Sequence, residues 1–180
     1  MEYLSQLERT IHGWFKAVPH LPPGSQKWLA DNVWWIAAVG AVLTGITALG
    51  FFVNTMGELA ALNNPFVLHY ASTSFATWVI TKMIISTIFI AIECVLLALA
   101  IAPLKEKQKN GWNLLFASLL VSALAVFVNA FLTLNAFAFI TNIIFGALWL
   151  AIYAYLIFEI HGQFSHVERS KGVKAKKKNV

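Results

Sequence analysis

Four apolar runs alternate with short polar or turn-forming breaks along this chain. A helix that crosses a bilayer needs about 20 predominantly apolar residues, each rising about 1.5 Å. Residues 33–53, 83–102, 113–134 and 140–158 meet that requirement, bounded by Asn54, Lys82, Pro103 and the region of Asn135. The pattern predicts an all-α integral membrane protein, a four-transmembrane-helix bundle over residues 32–160. An N-terminal segment 1–31 precedes it and a tail 161–180 follows.

The breaks carry their own pattern. Leu4, Leu7, Ile11, Trp14, Phe15 and Val18 recur at helical spacing, with Glu8, Arg9, His12 and Lys16 elsewhere around the wheel. This predicts an interfacial amphipathic helix with Trp14 and Phe15 in contact with the membrane surface. A helix that docks a cytoplasmic partner has the same pattern. His20-Leu-Pro-Pro-Gly24 ends it, and Ser25 is the expected N-cap of the next helix. Trp34 and Trp35 then fall at headgroup level, where indole rings concentrate. In the connection 54–76, Met56, Leu59, Ala60 and Leu62 predict a short helix ended by Asn63-Asn64-Pro65. Glu58 and His69 in that connection are too few for a metal or catalytic site. The minimal link from Asn135 to Phe139 makes spans three and four an antiparallel hairpin.

Composition strengthens the membrane assignment. The chain is 59% hydrophobic and 12% charged, against about 45–50% and 25% in soluble domains. Twelve of its thirteen Lys and Arg residues flank the spans on one side, Lys82 being the exception. The positive-inside rule then predicts cytoplasmic termini in a multi-pass protein of the cell (inner or plasma) membrane. Residues 1–31 contain Glu2, Glu8 and three prolines and no apolar core of a signal peptide, so the first span is expected to stay as an anchor. Lys174, Lys176, Lys177 and Lys178 make the tail basic. It is expected to be disordered and drawn to anionic lipid headgroups, with nucleic-acid binding the less favoured reading. The single cysteine, Cys94, excludes an intramolecular disulfide and reads as a small buried hydrophobe.

The candidate chemistry lies in stripes. Successive helical residues are about 100° apart, so spacings of 4, 7 and 11 share a face. Lys82, Ser86 and Glu93 do so in span two, and Ser118, Ser122 and Asn129 in span three. Asn142, Gly146, Trp149 and Tyr153 form the stripe of span four, and Gly40, Thr44 and Thr47 that of span one. Counting rise from each span's outer end puts Glu93 level with Thr44, Ser122 and Trp149, with Asn129 between the levels of Ser86 and Glu93. Glu93 is thus expected to face the bundle and to hydrogen-bond Ser122, Thr44 or the Trp149 indole. Lys82 lies about 16 Å from it along the axis, too far for a direct pair. An intramembrane carboxylate marks a functional site by default. The competing role is structural, with polar groups and the small residues Ala37, Ala41 and Gly45 joining helices.

The catalytic vocabulary is sparse. No His lies inside a span, and the nucleophile-elbow, HExxH and phosphate-loop motifs are absent. No catalytic residue, metal or cofactor is expected. The segment Leu21-Pro-Pro-Gly-Ser-Gln-Lys-Trp-Leu-Ala-Asp-Asn-Val-Trp-Trp-Ile-Ala resembles the approach to the first span in small uncharacterised four-helix bacterial inner-membrane proteins. That resemblance implies a location and no activity. A lone membrane Glu is also reminiscent of small multidrug-resistance transporters, which are shorter and carry it in their first helix. No residue role carries over. The leading expectation is a non-enzymatic assembly or accessory protein that packs with itself or with other membrane subunits. The alternative is a small proton-coupled transporter or channel using Glu93.

Overall fold

The computed structural model describes residues 18–62 and 73–178, the stretch 165–178 by its backbone, and positions 6, 10, 11, 13 and 15 before them. The described chain is all-helical in its regular structure. It contains α1 (Pro23–Ala61), α2 (Thr73–Lys105), α3 (Lys109–Phe131) and α4 (Ala136–Lys178). Each of the four is long and apolar enough to span a membrane.

Local chemistry sets the boundaries. Pro23 opens α1 and Pro22 is its N-cap, in place of the expected Ser25. Proline's fixed φ suits the first helical position, and its missing N–H is lost where no partner exists anyway. Ser25 and Gln26 instead donate their amides to Pro22 O at 2.8 and 3.1 Å. At its other end α1 runs straight through Asn54 to Ala61, so Met56, Leu59 and Ala60 extend the first helix and form no separate one. Nothing between Val53 and Ala61 stops a helix, and Thr55 turns its hydroxyl back to Phe51 O at 2.7 Å. His69 and the turn Asn63-Asn64-Pro65 lie outside the described residues.

The turn from α2 to α3 takes three residues. Gln108 N donates to Pro103 O at 2.8 Å and Lys107 N to Leu104 O at 3.0 Å, with Lys107 at φ 53°. This is a Schellman closure with lysine at the left-handed position that usually takes glycine. Gly111 lets α3 press directly onto the turn, because a Cβ there would lie 2.6 Å from Leu104 N. Asn135 caps α4, its Oδ1 accepting from Phe137 N at 2.8 Å and Ala138 N at 3.3 Å.

Consecutive helices pack side by side and antiparallel, while α1 and α4 meet over only a short stretch. One end of the bundle, the near end, holds the start of α1, the α2–α3 turn and the last span turns of α4. Leu29, Ala30, Val33, Leu104, Trp112, Phe116, Phe158, Ile160 and Phe164 form one buried cluster there. Trp112 is fully buried, donates Nε1–H to Ile157 O at 2.9 Å, and meets Phe158 edge-on at 5.6 Å. Toward the middle, buried Ala37 and Ala41 with Gly40 and Gly45 seat α2 closely against α1. A Cβ on Gly40 or Gly45 would lie 3.3 Å from Leu97 Cδ1 or 3.4 Å from Cys94 Sγ. Cys94 Sγ itself donates to Ala41 O at 3.3 Å.

Two terminal expectations change. Most of the amphipathic N-terminal stretch, Trp14 included, lies outside the described residues, and the positions that are described do not support a separate interfacial helix. Phe15 packs into the protein, its ring stacked on Phe158 at 5.2 Å, because the near end offers it an aromatic surface. The tail expected to be disordered continues α4 as helix to Lys178. Its residues between Ser165 and Lys178 include no proline, and Lys, Arg, Glu and Ala are good helix formers.

Candidate functional site

α3 is the polar spine of the bundle. Its three stripe residues each bond a neighbouring helix at a different level. Ser118 Oγ shares a hydrogen bond with Tyr153 OH of α4 at 2.6 Å. Ser122 Oγ donates to Glu93 Oε1 of α2 at 2.8 Å. Ser86 Oγ of α2 donates to Asn129 Oδ1 at 2.7 Å. The spacings of 4 and 7 put all three on one face, so a single stripe joins both neighbours. Further along the same seam, Asn142 Nδ2 of α4 reaches Thr133 Oγ1 at a long 3.4 Å.

Glu93 sits where two cavities meet. One, of about 430 Å³, runs between α1 and α4. Its walls are apolar, with Ile36 and Leu43 on one side, Ile152 and Leu156 on the other, and Leu97 and Leu115 beneath. The other, of about 570 Å³, opens over the far half of α3 and holds the polar stripe residues Lys82, Ser86, Asn129 and Asn142. Both are lined by Glu93 and Trp149. Ser122 fixes one carboxyl oxygen, and Oε2 has no hydrogen-bond partner among the described residues.

The sequence-predicted neighbours therefore divide. Ser122 is the direct partner. Trp149 shares both cavities with Glu93 and is 62% exposed as a residue. Thr44 lines the apolar cavity but spends its hydroxyl on Gly40 O and Ala41 O at 2.9 and 3.2 Å. Lys82 lies in the polar cavity and places Nζ over the Trp78 ring at 5.5 Å, without reaching Glu93. Trp34 and Trp35 stack at 5.5 Å near the start of α1, with Lys105 Nζ 5.2 Å from the Trp34 ring. The tail lysines Lys174, Lys176, Lys177 and Lys178 belong to the last turns of α4.

A second buried carboxylate is absent from the sequence-based reading. Glu159, just past the fourth predicted span, accepts from His20 Nδ1 at 2.7 Å, Leu21 N at 2.9 Å and Gln26 Nε2 at 2.9 Å. Its side chain is 3% exposed and that of His20 57%. Tyr155 OH adds a bond to Pro19 O at 2.9 Å. These contacts tie the lead-in of α1 to α4. The available signal was a carboxylate one residue beyond an apolar run, on the same side as a Pro-rich turn with an unassigned His. At the same end Lys107 pairs with Asp31, joining the α2–α3 turn to α1.

Among the described residues no three His, Cys, Asp or Glu side chains gather as metal ligands. No protein-family model, curated protein or solved structure matches this chain. The site's geometry is therefore what bears on function.

Proposed function

We propose that this protein is a non-enzymatic, multi-pass membrane protein that binds a small ligand in the cleft at Glu93 and exchanges a proton there, as in a small proton-coupled transporter. One observation carries the reading: Glu93 stands at the junction of two cavities with one oxygen held by Ser122 and the other without a hydrogen-bond partner among the described residues. Clefts of about 300–1,000 Å³ with apolar walls and few polar groups are the usual form of small-molecule sites. The stripes that also suggested an assembly role are largely engaged inside the chain. Ser86, Ser118, Ser122 and Tyr153 bond one another's helices, and Ala37, Ala41 and Gly45 serve the α1–α2 contact. In the membrane, both termini face the cytoplasm and the basic end of α4 lies toward anionic headgroups.

Trp149 provides the test, since its ring lines both cavities beside Glu93. In nanodiscs, the pH dependence of tryptophan emission should contain a component that disappears in Trp149→Phe and equally in Glu93→Gln. Glu93→Gln keeps shape and hydrogen bonding but removes the proton exchange. A Trp149 component that titrates unchanged in Glu93→Gln would remove the proton-exchange reading.

A further inference from the structure

The α1–α4 cavity has a chemistry that narrows its ligand. We infer that it binds lipophilic amines as monocations, the ammonium on Glu93 Oε2 and the apolar body between α1 and α4. This inference rests on the proton-exchange reading of Glu93 and goes on to name the ligand.

Three observations combine. First, the cavity's polar side chains are few and mostly committed. Tyr153 OH is engaged by Ser118 and Thr44 Oγ1 donates to its own helix, which leaves Glu93 Oε2 as the one anionic acceptor among the described residues of the lining. A ligand with several polar groups would leave most of them unpaired, at about 1–3 kcal/mol each. Its polar part must therefore be single and sit at one end. Second, the charge is one-sided. No Lys or Arg lines this cavity among the described residues, and Lys82 is about 16 Å away along α2. A carboxylate facing an apolar cleft complements a cation and repels an anion. Third, Trp149 lines the same junction, and an indole face attracts an alkylammonium. The volume of about 430 Å³ admits a body of two rings or a branched chain.

The exchange balances simply. Where Glu93 carries a proton, an incoming ammonium displaces it to water, leaving carboxylate and ammonium paired and the site's total charge unchanged. Binding then releases up to one proton per amine.

The test uses the full chain in nanodiscs of zwitterionic lipid and three near-isosteric probes: 3,3-diphenylpropylamine, 3,3-diphenylpropanol and 3,3-diphenylpropanoate. Binding is measured by calorimetry in buffers of differing ionisation enthalpy and by Trp149 emission. The amine should bind about tenfold or more tightly than the alcohol, the difference expected of one charge-assisted hydrogen bond. The propanoate should bind weakest. Glu93→Gln should erase the amine's advantage and its proton release. Ile152→Phe should weaken the amine while leaving the pH response of Trp149 emission in place. Ile152 is 49% exposed on the cavity wall, so a larger ring there fills the cleft without entering the core.

Equal binding of amine and alcohol, with the pH response intact, overturns the amine assignment alone and marks a neutral occupant such as a lipid chain. Amine binding that is insensitive to Ile152→Phe overturns the cavity as its location. A saturating dimer that excludes the amine marks a second copy as the occupant and overturns it too. Loss of the Glu93-dependent pH response removes the underlying proton site as well, which is a separate result.

Discussion

The two ends of this bundle are held by different means. At the near end all four helices contribute to one aromatic and aliphatic cluster around Trp112, and Glu159 ties the lead-in of α1 to α4. In the far half, α3 holds α2 through the hydrogen bonds Ser122–Glu93 and Ser86–Asn129, and cavities open beside them. Apolar packing seals a structure because it leaves no room for anything else. Spaced hydrogen bonds set helix positions while leaving volume between them. The contrast explains how one small chain combines a rigid frame with a cleft around an acidic group.

The contrast can be broken from the near end first. Trp112→Ala should give the largest loss, about 3–5 kcal/mol, as a buried aromatic leaves a cavity. Thermal unfolding in detergent would show it, with the Trp149 component of the emission spectrum kept below the transition. A variant that loses that component while still folded would show that the far half depends on the near-end core.

Glu159→Ala should come next, costing about 2–4 kcal/mol because the Leu21 amide and Gln26 side chain lose a charged acceptor. Hydrogen exchange should then quicken at residues 19–26 and stay unchanged at 82–93. Equal quickening in both stretches would dissolve the distinction between the ends.

In the far half, Gly146→Ala sharpens the comparison. Its new Cβ would lie 2.4 Å from Val126 Cγ1, so the Val126 side chain or α4 itself must shift, at a cost of about 1–3 kcal/mol. Val126→Ala in the same chain should restore most of the loss, and a double-mutant cycle on unfolding midpoints measures the coupling. Independent, additive effects would mean the two helices are not in contact at that level.

The smallest effect belongs to Ser122→Ala, about 1 kcal/mol for one interhelical hydrogen bond. Its infrared signature should exceed its stability signature, because the Glu93 carboxyl stretch loses a direct donor. An unchanged carboxyl band would exclude the Ser122–Glu93 bond.

The contents of the far half were legible in the sequence to a degree those of the near end were not. Helical periodicity and a common rise put Ser122 level with Glu93, and that bond forms. They also placed Asn129 near Ser86, and Tyr153 on the inward stripe of its helix. These contacts join regular helices of similar pitch, so angle and depth suffice to locate them. The Glu159 clasp joins a helix to an irregular segment 138 and 139 residues away, and no period within either element encodes that meeting. The ends of α1 differ from the apolar run for a related reason. An apolar run marks how much helix is greasy, whereas Pro23 and the lack of a breaker before Ala61 decide how much is helix.

The clasp also carries a consequence for the order in which the protein is made. His20 and Leu21 leave the ribosome long before Glu159 exists, and helix α1 can form with its lead-in still unattached. The three donors on residues 20–26 acquire their acceptor only when the fourth helix is nearly complete. Their docking is thus a record that the chain has been made as far as Glu159, and a truncated product ending before it would leave those donors without that acceptor.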